Sequence, residues 1–369
     1  MNILIVTTHL NFGGISSYAV SLAKQLKQKG HKVYIASSGG DMTKELEASE
    51  IKHLSIPLTT KSELSPKVLI SAIKILKILK SKKIDIMHAQ TRVSQVSCCI
   101  ASVLSSIPYV TTCHGFFKPK FTRKIFQFWG AKVIAISEAV RAHLVNDLQV
   151  AKNKIVLIHN GVDINNFQRN YTLKEKDEIK KEFNLNSGLT IGIIARLSSV
   201  KGHKYLIKAA ELLLKENEKV QFLIIGDGPE KEKLIKLSRE LGVIDKIIFH
   251  KSVLDTARPL SIMDIFVMPS VSEGLGLSIL EAMASGLPIV ASNVGGIYSL
   301  VKEGDNGILV DPKNPGSLKK AMKVLLDNKQ IRMDMGKKSL KRCEADFSLE
   351  LFADDVEKLY SQTLMKKKS

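Results

Sequence analysis

Two carboxylates and two cations, on segments that contain glycine turns, are the groups in this chain whose types and spacing could do chemistry. The stretch 269–286, PSVSEGLGLSILEAMASG, puts Glu273 at the mouth of a loop and Glu281 eight residues later. Gly274 and Gly276 let the backbone N–H groups of that turn approach a ligand, and a helix beginning near Gly276 favours negative charge at its N-terminus. Inside the helix Glu281 shares a face with Ser278 and Ser285, where a carboxylate among small residues can bind a diol. Leu277, Leu280 and Ala284 form the neighbouring apolar stripe, expected to meet the core. One acid at the mouth and one further in imply a ligand with hydroxyls at both ends and phosphate between.

The cations such a phosphate needs stand in ARLSSVKGH, where Arg196 and Lys201 are five residues apart on a strand-to-helix loop. GDGPEKEKL (226–234) is another glycine turn opening a helix. Each of these features has a plain structural reading: Arg196 could pair with a surface carboxylate and Glu281 could be an ordinary helix residue. Three loops converging on one sheet edge are more specific than any one of them. His114, in TTCHGF, ends a strand of the first half and could donate to a sugar or phosphate oxygen; a lone strand-end histidine is more often structural.

The elements that must position these groups alternate along the chain. Apolar runs predict strands at 2–6, 31–36, 84–88, 109–113, 133–136 and 155–158, then at 189–195, 220–225, 247–250, 264–268, 288–291 and 307–310, with helical segments between them. Strands alternating with amphipathic helices mean parallel sheets covered on both faces, so each half reads as a Rossmann-like unit. A polar stretch from HNGVD (159–163) to about Ser187 reads as the linker, and 315–327, 329–344 and 348–364 read as terminal helices. The domains are expected at 1–165, 166–347 and 348–369, the last a helix packing back on the first domain with a disordered KKKS tail.

The chain has 369 residues, long for one core, with 44% hydrophobic and 25% charged residues, which argues for two globular domains. Its net charge of +19 is uneven: residues 1–165 carry 22 Lys/Arg against 9 Asp/Glu, and the remainder 33 against 27. A basic first half fits an anionic membrane surface, a phosphorylated substrate or nucleic acid, or simply a lysine-rich solvated surface. Segment 66–83, PKVLISAIKILKILKSKK, reads foremost as a surface helix packed on the sheet. From Phe116 to Trp129, FFKPKFTRKIFQFW gathers five phenylalanines, the single tryptophan and four cations. It reads either as an interfacial membrane segment or as a lid. No nucleic-acid module surrounds it, so no nucleic-acid partner is expected. The apolar character of 92–118 is broken by serines, Pro108 and threonines and fits a buried helix and strand better than a membrane span.

Absences narrow the chemistry. Gly13 and Gly14 follow the first strand without spelling G-x-G-x-x-G, which counts against NAD; there is no G-x-S-x-G and no P-loop. Neither a DxD nor a cluster at metal-ligand spacing occurs, so no metal or cofactor is expected, and departing phosphate charge would fall to Arg196, Lys201 and helix N-termini. Cys98, Cys99, Cys113 and Cys343 show no zinc or CxxC spacing, and Met1 runs straight into a strand with no signal peptide. Both fit a reduced, cytoplasmic setting.

With these residues in view, the chain resembles the retaining GT-B glycosyltransferases of family 4 over nearly its whole length. The carriers are Gly13–Gly14, CHG at 113–115, HNGVD at 159–163, ARLSSVKG at 195–202, GDGP at 226–229, E-x7-E from Glu273 to Glu281, Gly295–Gly296 and GDNGILV at 304–310. The resemblance implies two Rossmann-like domains facing across a cleft, with a C-terminal helix crossing back to the first. It implies a metal-independent hexosyltransferase that takes a nucleotide-sugar donor, a UDP-sugar before a GDP-sugar, without an enzyme nucleophile. The acceptor would be a glycan or lipid-linked glycan in surface polysaccharide or lipopolysaccharide biosynthesis; the basic first half and the segment from Phe116 to Trp129, not the resemblance, suggest that the enzyme is peripheral on the inner membrane face.

In that family pattern Glu281 would hold the ribose and Glu273 the transferred sugar, with Gly14 and the N–H groups of Gly274, Leu275, Gly276 and Leu277 around hydroxyls and phosphates. Arg196 and Lys201 would bind the diphosphate, His114 would orient the sugar, and Val253 would mark the turn that meets the base. Ser299 stands where relatives often have an acid, and Lys251 where a glycine is common. A glycogen-type synthase or a nucleotide-sugar epimerase of the same fold is the alternative enzyme. A non-catalytic glycan-binding subunit is the alternative class, and the joint presence of Glu273, Glu281, Arg196 and Lys201 argues against it.

Overall fold

The computed structural model describes residues 1–60, 62–119, 126–216 and 219–368. The chain divides into two compact units, Met1–Gly161 with Leu349–Ser369, and Val162–Ser348. In the first unit, β1 (Asn2–Val6), β2 (Lys32–Ser37), β3 (Lys52–Ser55), β4 (Ile86–Ala89), β5 (Tyr109–Cys113), β6 (Lys132–Ala135) and β7 (Ile155–Leu157) form a parallel sheet in the order β3-β2-β1-β4-β5-β6-β7. Alternation along a strand sends successive side chains to opposite faces. Ile3 and Ile5 join one core cluster with helices Gly14–Gln28 and Leu349–Lys368, through Tyr18, Leu22, Phe352, Val356 and Tyr360. Leu4 and Val6 join the other, with Val68 and Ile75 of helix Pro66–Ser81 and Val96 and Cys98 of helix Arg92–Ser105.

The second unit repeats the plan. Its strands β8 (Leu189–Ile194), β9 (Val220–Ile225), β10 (Ile247–His250), β11 (Ile265–Met268), β12 (Ile289–Ser292) and β13 (Gly307–Val310) are parallel, in the order β10-β9-β8-β11-β12-β13. In each sheet the strand order reverses once, between β1 and β4 and between β8 and β11. Loops at the carboxyl ends of such a pair splay apart and leave a crevice where ligands of open α/β sheets bind.

Three local expectations are corrected. Strand β3 is absent from the apolar-run reading because KHLS is a partly exposed edge strand, paired on one side only. The expected linker is folded: Thr172 and Glu175 form a capping box for helix Leu173–Glu182, and Ile179, Phe183 and Leu185 are buried in the second unit. The stripe Leu277–Leu280–Ala284 is too narrow for helix Leu277–Ala284: Leu280 and Ala284 are buried as expected, but so are Ile279, Ala282 and Met283, while Leu277 is only half-buried. Packed between β11, β12 and helix Lys329–Asp346, that helix is apolar nearly all round. The stretch 92–118 folds as a helix and strand, and no helix among the described residues is long and apolar enough to cross a membrane. Residues 120–125 of the aromatic, basic segment lie outside the described residues.

Candidate functional site

The loops after β8 and β11 flank the reversal in the second sheet, and backbone contacts lace them together. Val271 N–H donates to Val200 O at 2.8 Å. Gly202, at φ +73°, presses against Pro269, and a Cβ there would lie 1.8 Å from the Pro269 carbonyl oxygen. Only glycine satisfies both demands. The loop after β9 is tied to the same place, since Leu197 N–H donates to Asp227 O and Glu230 N–H to Leu197 O, at 3.0 and 3.1 Å. From the far side, Gly296 N–H donates to Glu273 O at 2.9 Å. Four strand-to-helix loops are therefore laced together along this edge of the sheet, with Glu273 contacted from the loops after β8, β11 and β12.

This lacing brings Lys201 onto Glu273. The ammonium lies 2.5 Å from the carboxylate, with the two side chains 25% and 12% exposed, and the Ser270 hydroxyl donates to the same oxygen at 3.3 Å. The cation predicted for phosphate and the acid predicted for sugar are thus partners. Arg196 is exposed and makes no ion pair among the described residues. Beside Lys201, His203 is buried, with neither ring nitrogen partnered among the described residues. Burial first, then Lys201, lowers it to about 4.

Glu281 sits on the less buried side of helix Leu277–Ala284. Burial pushes its carboxyl up to about 7, opposed by a hydrogen bond that the Thr256 hydroxyl donates. Gly276 opens the helix at φ 103° without a side-chain cap. Val253 is half-buried in the turn after β10. That turn is anchored by Ser252 N–H donating to the Asp227 carboxylate at 2.8 Å, which holds Asp227 below the usual carboxylate range; Lys231 adds a weaker pull.

In the first unit, Gly14 begins helix Gly14–Gln28 beside the other sheet reversal. His114, after β5, donates from Nε2 to Gln90 Oε1 at 2.8 Å, and burial lowers it to about 3, so the ring is neutral. The expectation that His114 donates to a ligand is thereby revised: Nε2–H is committed to Gln90, and Nδ1 remains as an acceptor. The rings of Tyr18 and His114 pack in a T-shaped arrangement, with centroids 4.7 Å apart. Tyr18 OH bonds Thr112 Oγ1 at 3.0 Å, Thr112 Oγ1 bonds His88 Nε2 at 2.7 Å, and His88 Nδ1 bonds Tyr360 OH at 2.6 Å. His88 is lowered to about 3 by burial and then by His114.

The network around His88, the anchor Asp227 and the Thr256 bond were not foreseen. A histidine inside the apolar strand IMHA and an aspartate between the glycines of GDGP were the available signals. Of the aromatic segment, Phe117 N–H donates to His143 Nε2 at 3.0 Å, Arg92 lies over the Phe128 ring at 4.8 Å, and Trp129 is buried. Phe116 and Phe126 are 40% and 57% exposed. Among the described residues no group of three or more His, Cys, Asp or Glu could hold a metal ion.

Residues 175–342 match the family model for glycosyl transferases group 1, and residues 12–166 match that for glycosyltransferase family 4. The chain is 25% identical to N-acetyl-alpha-D-glucosaminyl L-malate synthase of Bacillus anthracis, covering 97% of this chain and 96% of that one. It is 26% identical to UDP-Gal:alpha-D-GlcNAc-diphosphoundecaprenol alpha-1,3-galactosyltransferase of Escherichia coli, covering 90% and 89%. Its fold is similar to that of Anabaena HepE, solved in complex with UDP and glucose, with a TM-score of 0.87, 22% identity and 98% and 99% of the two chains covered.

Proposed function

Because the chain belongs to the group 1 glycosyl transferases, matched in both units and sharing the GT-B fold of its structural neighbours, we propose that it moves a sugar, with retention, from a nucleotide-diphosphate donor to a glycan or lipid-linked acceptor in surface polysaccharide or lipopolysaccharide biosynthesis. The observation that carries this reading is the Lys201–Glu273 pair, which joins the loop that also carries Arg196 to the loop opening the Gly276 helix start at the reversal of the second sheet. UDP is favoured as the nucleotide, since one relative's name specifies UDP-Gal and one neighbour was solved with UDP. The E. coli relative's name likewise specifies a lipid-diphosphate-linked acceptor.

Glu281 takes the ribose hydroxyls, the Val253 turn takes the base, and Arg196 with Lys201 and the N–H groups of Gly274 to Leu277 takes the diphosphate. Departing phosphate then competes with Glu273 for Lys201, and Glu273 turns to the hydroxyls of the transferred sugar. The bond from the anomeric carbon to phosphate oxygen breaks as the acceptor oxygen bonds the same face. The acceptor proton leaves on the nucleoside diphosphate, and the fixed cations stabilise that charge without a divalent ion. Neutral His114 offers Nδ1 as an acceptor for a sugar hydroxyl, and Gly14 is assigned to donor binding. The exposed Phe116 and Phe126 of the aromatic, basic segment rest on the inner face of the membrane.

A thermal-shift panel of UDP-, GDP- and ADP-sugars with and without EDTA tests the donor half. A bound donor at about 100 times its Kd stabilises by about 2.7 kcal/mol. UDP-sugars should shift the midpoint in EDTA as they do without it. A response to GDP- or ADP-sugars alone, or one abolished by EDTA, would remove the UDP or metal-free part of the proposal.

A further inference from the structure

Helix Pro66–Ser81 carries apolar residues on two sides, and the core explains only one of them. Val68, Ala72, Ile75 and Leu79 are buried against the sheet. On the outer side, Leu69, Ile70 and Ile73 are 56%, 47% and 50% exposed. A surface helix of a globular unit ordinarily shows one apolar stripe, so a second, exposed cluster marks a contact surface. One turn further on, the same outer face carries Lys74, Lys77 and Lys80, all exposed and without an ion pair among the described residues. From Leu64 to Ile84 the chain contains six lysines and no carboxylate. The helix packed against it, Arg92–Ser105, ends on Val103 and Leu104, 76% and 67% exposed.

We propose that this face is a docking surface for an anionic lipid bilayer, with Leu69, Ile70 and Ile73 entering the acyl boundary and Lys74, Lys77 and Lys80 meeting lipid phosphates. Charge decides among the occupants. A second copy would set two acid-free lysine rows against each other. A nucleic acid would pair with the lysines and leave three aliphatic side chains in water. A bilayer of acidic lipids satisfies both halves of the face at once. This deepens the membrane part of the proposed function, yet it stands on different residues from the aromatic segment and does not depend on the donor.

The test is co-sedimentation of the full chain with phosphatidylglycerol-containing and pure phosphatidylcholine vesicles, at low and high salt. Three variants are compared: Leu69→Ser/Ile70→Ser/Ile73→Ser, Lys74→Glu/Lys77→Glu/Lys80→Glu, and Phe116→Ser/Phe126→Ser. Thermal midpoints serve as a folding control, since every substituted side chain is exposed. The wild type should bind the anionic vesicles and release them in high salt. The Lys→Glu and the aliphatic variants should each lose about ten-fold or more in partitioning, while Phe116→Ser/Phe126→Ser keeps substantial binding. Equal binding to neutral vesicles, or undiminished binding by the aliphatic variant, would overturn the proposal. So would a concentration-dependent dimer that Leu69→Ser/Ile70→Ser/Ile73→Ser dissolves in the absence of lipid, which would make the occupant a second copy.

Discussion

Replacing Glu281 by glutamine changes one proton and leaves the shape of the side chain nearly intact. Burial raises this carboxyl from the ordinary 4.5 to about 7, even with Thr256 donating to it. The fold therefore prefers the protonated acid. Between these two values the native chain keeps a proton that the unfolded chain has released, so the stabilisation is complete below pH 4.5 and is lost as pH rises through about 7. At about 1.36 kcal/mol per pH unit, the displacement is worth about 3 kcal/mol. The amide introduced by Glu281→Gln has no proton to lose, so the variant should gain on the wild type as pH rises. At roughly 2–4 °C per kcal/mol for a unit of this size, its advantage in thermal midpoint should grow from small near pH 5 to roughly 6–12 °C near pH 9. Melting both proteins across that range reads the effect as a difference. Subtraction removes the opposite trend from His88, His114 and His203, lowered to about 3, 3 and 4, each of which destabilises as pH falls below its unfolded value of 6.5. A difference that stays flat from pH 5 to pH 9 would refute the reasoning.

Gly202→Ala should cost about 1–2 kcal/mol from the left-handed backbone alone, and should weaken UDP binding because the Pro269 carbonyl has to move; an unchanged melt and titration would mean that the two loops do not touch. Lys201→Met and Glu273→Gln should couple by more than about 1 kcal/mol in a double-mutant cycle of unfolding, whereas additive effects would deny the ion pair. Tyr360→Phe strands His88 Nδ1 inside the core and should cost about 1–3 kcal/mol. It should also move the imidazole NMR signals of both His88 and His114, and a shift at His88 alone would show that Tyr18 does not pass the change on.

Much of this arrangement was legible in local composition. The apolar runs 109–113, 220–225, 247–250 and 307–310 coincide with β5, β9, β10 and β13: β5 and β9 are buried throughout, and the edge strands β10 and β13 still carry three consecutive apolar residues each. KHLS is legible only through β2, against which it pairs. The capping box at Thr172 and Glu175 was written in the sequence, but a helix with so little apolar surface looked like a connector. Helix Leu277–Ala284 misled in the other direction, since spacing cannot choose a buried stripe on a helix enclosed nearly all round. At the site, the reactive residue types and their loops were readable, and the pairings were not. Lys201 and Glu273 are 72 residues apart, and His88 and Tyr360 are 272 apart. Such contacts are made by topology, and no local periodicity encodes them.

The path of helix Leu349–Lys368 has a consequence for the order of synthesis. Leu349, Phe352, Val356 and Tyr360 complete a core whose other walls are Ile3, Ile5, Leu22 and Leu26. All of Val162–Ser348 is translated between those two sets of residues. On the ribosome, the second unit can therefore finish folding while the first still shows an open apolar groove along helix Gly14–Gln28. His88 waits in that groove for its phenol. A nascent chain stalled before Leu349 would offer the groove to chaperones, and its release would bury it.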